Sequence, residues 1–117
     1  MQEFTLIVPY YRNVGMLERQ IQEWNLYPDN INIILVDDGS PEEAINVVEK
    51  FSTNQKNLQL YRITVDIPWN RGGARNLGSR MANTEWILHV DIDHILPRSS
   101  AYDIFGEKIK DKNWYRF

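Results

Sequence analysis

At 117 residues the chain has the length of one domain, enough to bury on the order of two thirds of its unfolded surface. Its 43% hydrophobic and 25% charged content is that of an ordinary globular protein, and a net charge of −3 with a pI near 5.3 disfavours a broad nucleic-acid-binding face. The lack of cysteine excludes a disulfide scaffold and a thiolate metal site, and no apolar run approaches the roughly 20 residues of a transmembrane segment. With no signal peptide visible, the chain reads as a soluble, cytoplasmic module.

The first run of β-formers, Phe4 to Val8, predicts a strand stopped by Pro9 and followed by a Tyr10-Tyr11-Arg12-Asn13 loop. From Gly15 to Tyr27, Leu17, Ile21 and Trp24 recur at helical spacing among polar neighbours that include Gln20, as one buried stripe requires. Ile31 to Val36 predicts a second strand, ending at Asp37-Asp38-Gly39-Ser40. Ser40-Pro41-Glu42-Glu43 carries the marks of a helix start: a Ser cap, proline at the first helical position and Glu43 closing a capping box. Ala44, Val47, Val48 and Phe51 line that helix. Leu58, Leu60 and Ile63 suggest a third strand, with Tyr61 and Val65 leaving its alternation imperfect. A loop from Asp66 to Gly73 leads into a third helix through Ala74, Leu77, Gly78 and Met81, with a small residue where close approach to a sheet needs one.

The fourth strand lies in Glu85-Trp86-Ile87-Leu88-His89-Val90-Asp91-Ile92-Asp93-His94, an apolar run of buried-strand character that ends in two carboxylates. Residues i and i+2 of an extended chain point the same way, so Asp91 and Asp93 face one spot if the strand persists that far. Two such anions suit a hard divalent cation, Mn2+ or Mg2+, which keeps open positions for substrate phosphates. Beyond Pro97, Ser99 to Lys110 fits an amphipathic helix and Asn113 to Phe117 the start of a strand, so the chain divides into a core over 1–97 and a C-terminal piece over 98–117 that looks cut.

Alternating strands and helices with short connections predict an α/β fold with a mainly parallel sheet covered on both faces. Right-handed crossovers then put every strand end on one edge, where ligands of open α/β sheets bind. Pro9 to Asn13, Asp37 to Ser40, Asp66 to Gly73 and Asp91 to His94 all fall on that rim. Of Asp37 and Asp38, one holds the turn before a helix and the other is open to a base or ribose. Arg71 and Arg75, at the start of the third helix, either meet a diphosphate or pair with the rim's acids. Tyr10 and Tyr11 offer rings for stacking, and His94 is a further metal or phosphate contact.

Together these segments resemble the nucleotide-sugar-binding half of GT-A glycosyltransferases, in particular the inverting family 2. Leu6 to Asn13 matches its first strand and loop, Ile34 to Ser40 its V-D-D-G-S signature, Gly73 to Gly78 its A-R-N-x-G helix, and Val90 to Asp93 its D-x-D, in family order. The resemblance implies a Rossmann-like donor site for a nucleotide-diphosphate sugar, a UDP-sugar first among them. Pro9 and Tyr11 would border the base, Asp37 or Asp38 would contact it, and Arg71 or Arg75 would lie near the diphosphate. Asp91 would touch ribose or sugar, and Asp93, with Asp91 and His94 beside it, would ligate the metal.

Two departures qualify this. The Asn70 to Arg75 segment is tighter than the family spacing, and no residue matches the carboxylate base that the later half of family members supplies. The expectation is therefore a donor-binding portion of a glycosyltransferase with an unknown acceptor; the alternative is a catalytically incomplete nucleotide-binding module. A phosphoacceptor receiver domain wants an acidic pair after strand one, where Pro9-Tyr10 stands. A sugar nucleotidyltransferase wants a glycine-rich basic loop there, which is absent too.

Overall fold

The computed structural model describes residues 4–41, 43–53 and 57–97. The expected helix and strand after Pro97, and Glu42 of the expected capping box, lie outside the described residues. Among the described residues seven elements follow in order: β1 (Phe4–Tyr10), α1 (Val14–Trp24), β2 (Ile31–Asp38), α2 (Ala44–Phe51), β3 (Leu58–Ile63), α3 (Arg71–Met81) and β4 (Trp86–His89). The four strands form one parallel sheet in the order β3-β2-β1-β4.

That order dictates where the helices go. The steps from β1 to β2 and β2 to β3 move the same way across the sheet, so right-handed crossovers put α1 and α2 on one face. The step from β3 to β4 runs back past β2 and β1, which puts α3 on the other. Residue parity agrees, since Leu6, Val8, Tyr10, Ile33 and Leu35 join Leu17, Ile21 and Trp24 in one core cluster, while Ile7, Ile34 and Val36 join Ala74 in a second. The imperfect alternation of β3 has the same cause: Leu58 and Leu60 pack against the first cluster, Tyr61 and Ile63 against the second. Gly78 is where α3 meets the sheet, for a Cβ there would stand 2.5 Å from Ile7 Cγ2.

Three local expectations need correction. Pro9 does not stop β1; it pairs with Val36, and the strand runs on to Tyr10. Ile7 accepts from Val90 N at 3.0 Å, so Pro9, two residues on, turns its missing N–H toward β4 beyond that strand's end, where no ladder bond is lost. Ser40 does not cap α2, which begins at Ala44. The Ala44 amide goes instead to the Asp37 carboxylate, a stronger acceptor than a hydroxyl, at 2.9 Å. Finally, β4 stops at His89 and is only half-buried: Trp86, Leu88 and Val90 pack on the first cluster while Ile87 and His89 face out. It is the edge strand of the described sheet, not a covered one. No helix among the described residues is long and apolar enough to cross a membrane.

Candidate functional site

Because all four strands are parallel, their C-terminal ends share one edge. A cleft of about 260 Å³ opens there. The end of β1 contributes Pro9 and the chain leaving it Tyr11 and Asn13, the end of β2 contributes Asp38, the first turn of α3 contributes Arg71, and the segment after β4 contributes Asp91, Ile92 and Asp93. Residues up to 84 positions apart, Pro9 and Asp93, thus border one space (93 − 9).

The two aspartates ending β2 have separate jobs. Asp37 is 1% exposed, and its oxygens accept from Ser40 N at 3.0 Å, Ala44 N at 2.9 Å and Arg62 Nη1 at 3.0 Å. It fastens the β2–α2 turn, caps α2 and faces away from the cleft. Asp38 points to the other side of the strand, where its Oδ1 accepts from Asn70 Nδ2 at 2.9 Å. Burial pushes the Asp38 carboxyl above its ordinary pKa; Asp66 and Asp37 add to the rise, and the Asn70 hydrogen bond opposes it. Gly73 makes that hydrogen bond sterically feasible, since a Cβ at this position would collide with Asn70 Oδ1.

A similar division separates the tyrosines. Tyr10 is fully buried in the first core cluster, so only Tyr11 of the two lines the cleft. Tyr11 donates its hydroxyl to Asp66 Oδ2 at 2.9 Å, and that hydrogen bond raises its pKa. Backbone strain gathers here as well: Arg12 and Trp69 are non-glycine residues with φ of +53° and +56°, and Trp69 is fully exposed. Gly39, with φ +71°, lets the end of β2 pass the Val65–Asp66 backbone; a Cβ would lie 2.7 Å from Val65 O.

The acidic segment after β4 is a turn, not a continued strand: Asp91 O accepts from His94 N at 3.0 Å. The turn still brings the three expected groups together, because one ligand atom each from Asp91, Asp93 and His94 lies within 4.8 Å of the others. Hard carboxylate oxygens and one imidazole suit Mn2+ or Mg2+, and the three atoms, spread over as much as 4.8 Å, would have to draw together by a few tenths of an ångström or more to share one ion at bond lengths of about 2.1 Å. Asp91 is also the anchor of a cationic cluster, with Arg75 Nη2 at 2.5 Å, Arg71 Nη1 at 3.9 Å and His94 Nδ1 at 4.0 Å. Of the two arginines, Arg75 is taken up by this ion pair, whereas Arg71 has a 66% exposed side chain and lines the cleft.

One residue of this region lay unmarked in the sequence reading. Gln20 of α1 is fully buried, and its Nε2 faces the carbonyls of Asp91, Ile92 and His94. The available signal was its position: a polar side chain three residues after Leu17 and four before Trp24 sits on the apolar stripe, where polar groups need a partner.

The parallel sheet of this order, with helices alternating between its strands, is of the Rossmann-like GT-A type. The model of glycosyl transferase family 2 matches residues 5–113, and the chain belongs to that family. Among its relatives, Staphylococcus aureus TarS, a poly(ribitol-phosphate) beta-N-acetylglucosaminyltransferase, is 27% identical in an alignment of 109 positions that covers 88% of this chain and 18% of that protein. The crystal structure of TarS residues 1–349 with UDP-GlcNAc superposes with a TM-score of 0.77 at 25% identity, covering 89% of this chain and 30% of that one. Glycosyltransferase GlyG of Streptococcus pneumoniae is 31% identical in an alignment of 114 positions that covers 93% of this chain and 36% of that protein. The mannosyltransferase PcManGT of Pyrobaculum calidifontis, solved with GDP-Man and Mn2+, shares the fold with a TM-score of 0.72 at 23% identity, over 84% of this chain and 30% of that one. The chain spans 18% to 38% of the length of the curated relatives it matches.

Proposed function

We propose that this chain is the donor-binding portion of a glycosyltransferase, a core over residues 1–97 that takes a nucleotide-diphosphate sugar into the cleft together with Mn2+ or Mg2+. The observation that carries the reading is the convergence of Asp38, Arg71, Asp91 and Asp93 on one cleft at the sheet's carboxyl edge, with His94 beside the last two. At about 260 Å³ the cleft is near the lower end for small-molecule sites, so it matches a nucleoside diphosphate better than a whole nucleotide sugar.

Pro9 and the Tyr11 ring border the base, and Asp38 accepts its hydrogen bonds; the enclosed Asp37 supports that wall from behind. Arg71 and the first-turn amides of α3 meet the diphosphate, where helix N-termini favour anions. Arg75 holds Asp91 between the ribose or sugar and the cation, which Asp93 and His94 face as well. The bound cation would offset the charge that develops on the departing nucleoside diphosphate as the glycosidic bond breaks. The TarS complex makes UDP-GlcNAc the first donor to try. The acceptor and the base of the displacement are assigned to no residue of this chain.

Calorimetry with UDP, UDP-GlcNAc and GDP-mannose in the presence of Mn2+ tests this reading. Binding of at least one of them, weakened about tenfold or more by Arg71→Ala, is the expected result. A chain that binds none, or an Arg71→Ala variant that binds as tightly as the parent, contradicts it.

A further inference from the structure

We propose that Gln20, a core residue of α1, is the positioning residue of the cation-binding turn: it holds the backbone from which Asp91, Asp93 and His94 reach the ion. The inference rests on the reading of that turn as the cation site and adds the group that shapes it. Gln20 Nε2 lies 2.8 Å from His94 O, 3.0 Å from Ile92 O and 3.4 Å from Asp91 O, so its two N–H groups are spent on three carbonyls of a single turn.

The orientation of that amide is itself fixed. Trp24 Nε1 lies 3.1 Å from Gln20 Oε1, and an indole N–H can only donate, so the amide oxygen must face Trp24 and the nitrogen must face the turn. Few side chains meet this demand. A glutamate would turn acceptors toward acceptors, a lysine would place a charge in a site with 0% exposure, and an apolar residue would leave the carbonyls unpaired.

The side chains of Asp93 and His94 are exposed, so the path of the backbone beneath them sets where their ligand atoms start. Tyr27 extends the same hold, donating its hydroxyl to Leu96 O at 2.5 Å. Gln20 on α1 and Tyr27 just beyond it thus hold residues 91–96 from below while the acidic side chains look into the cleft. Groups that orient ligands in this way commonly change metal affinity by about 10- to 100-fold when removed.

The test is titration of the whole chain with Mn2+, followed by the electron paramagnetic resonance signal of the free ion, alongside UDP affinity with and without Mn2+. Gln20→Met keeps the length and loses the donors; it should weaken Mn2+ binding at least tenfold and reduce the Mn2+-dependent gain in UDP affinity by a similar factor. Gln20→Glu, with acceptors only, should do the same or worse. Variants that melt earlier yet bind Mn2+ within twofold of the parent would show a role in stability alone and overturn the proposal. Should neither variant fold, Trp24→Phe keeps a ring in the core and frees the amide to rotate. It should lose threefold or more in Mn2+ affinity, and an unchanged value overturns the proposal. A parent chain that takes up no Mn2+ and binds UDP equally with and without it would remove the donor-site reading as well; a Mn2+-dependent parent with indifferent variants removes only the role of Gln20.

Discussion

Replacing Asp37 by alanine tests the division of labour between the paired aspartates. The substitution removes an acceptor shared by the Ser40 amide, the Ala44 amide and Arg62, at distances of 2.9 to 3.0 Å. The two amides are buried and lose their acceptor, which costs about 1–2 kcal/mol each. Arg62 has a 31% exposed side chain and keeps Glu43 at 3.3 Å, so loss of its ion pair adds only about 1 kcal/mol. The total is about 3–5 kcal/mol, a large fraction of the stability of a domain this size and roughly 12 °C or more in Tm. Urea unfolding followed by circular dichroism at 222 nm measures it, and an Asp37→Asn control, which keeps one acceptor oxygen, should fall between alanine and the parent. A loss below about 1 kcal/mol for Asp37→Ala would refute the assignment of Asp37 as the internal anchor of the β2–α2 turn.

The companion change behaves in the opposite way. Asp38 has a raised pKa in the folded chain, so its contribution to stability is greatest in acid and is lost as pH rises through the folded value. Asp38→Asn, which retains an acceptor for Asn70, should therefore be as stable as the parent or more so at pH 7 while binding UDP at least tenfold more weakly; urea melts and calorimetry on one preparation read both. Gly39→Ala must place a Cβ 2.7 Å from Val65 O in a left-handed conformation, and should cost about 2–4 kcal/mol in the same melts. Tyr27 is buried and its pKa is raised from an ordinary value of 10.0, so its stabilising effect is present below pH 10 and lost as pH climbs beyond it. Tyr27→Phe should lose about 1 kcal/mol at neutral pH, from the Leu96 hydrogen bond, and unfold less steeply in alkali.

How much of this was legible beforehand depends on the range of the forces involved. Strand and helix order followed from periodicities of 2 and 3.6, and the shared rim from the handedness of crossovers, because both are local rules applied repeatedly. The separate fates of Asp37 and Asp38 were latent in the same parity: Asp37 continues the side of Ile33 and Leu35 under α2, while Asp38 continues that of Ile34 and Val36 toward α3. The failures came where a distant partner overruled a local signal. Ser40 has every local mark of a cap, but the Asp37 carboxylate, already held by Arg62, reaches the helix end first. Asp91 and Asp93 were expected to converge through strand geometry. They converge through a turn whose carbonyls are met by Gln20, more than 70 residues earlier in the chain, a contact no local pattern shows.

If the proposed site is right, the Asp91–His94 turn and the cleft beside it bind one nucleoside diphosphate through a shared cation. Thermal shift of the parent chain and of Asp93→Ala with UDP, with and without Mn2+, addresses it most directly. UDP should raise Tm by an amount that Mn2+ enlarges in the parent and leaves unchanged in the variant. An equal Mn2+-dependent rise in both proteins would contradict it.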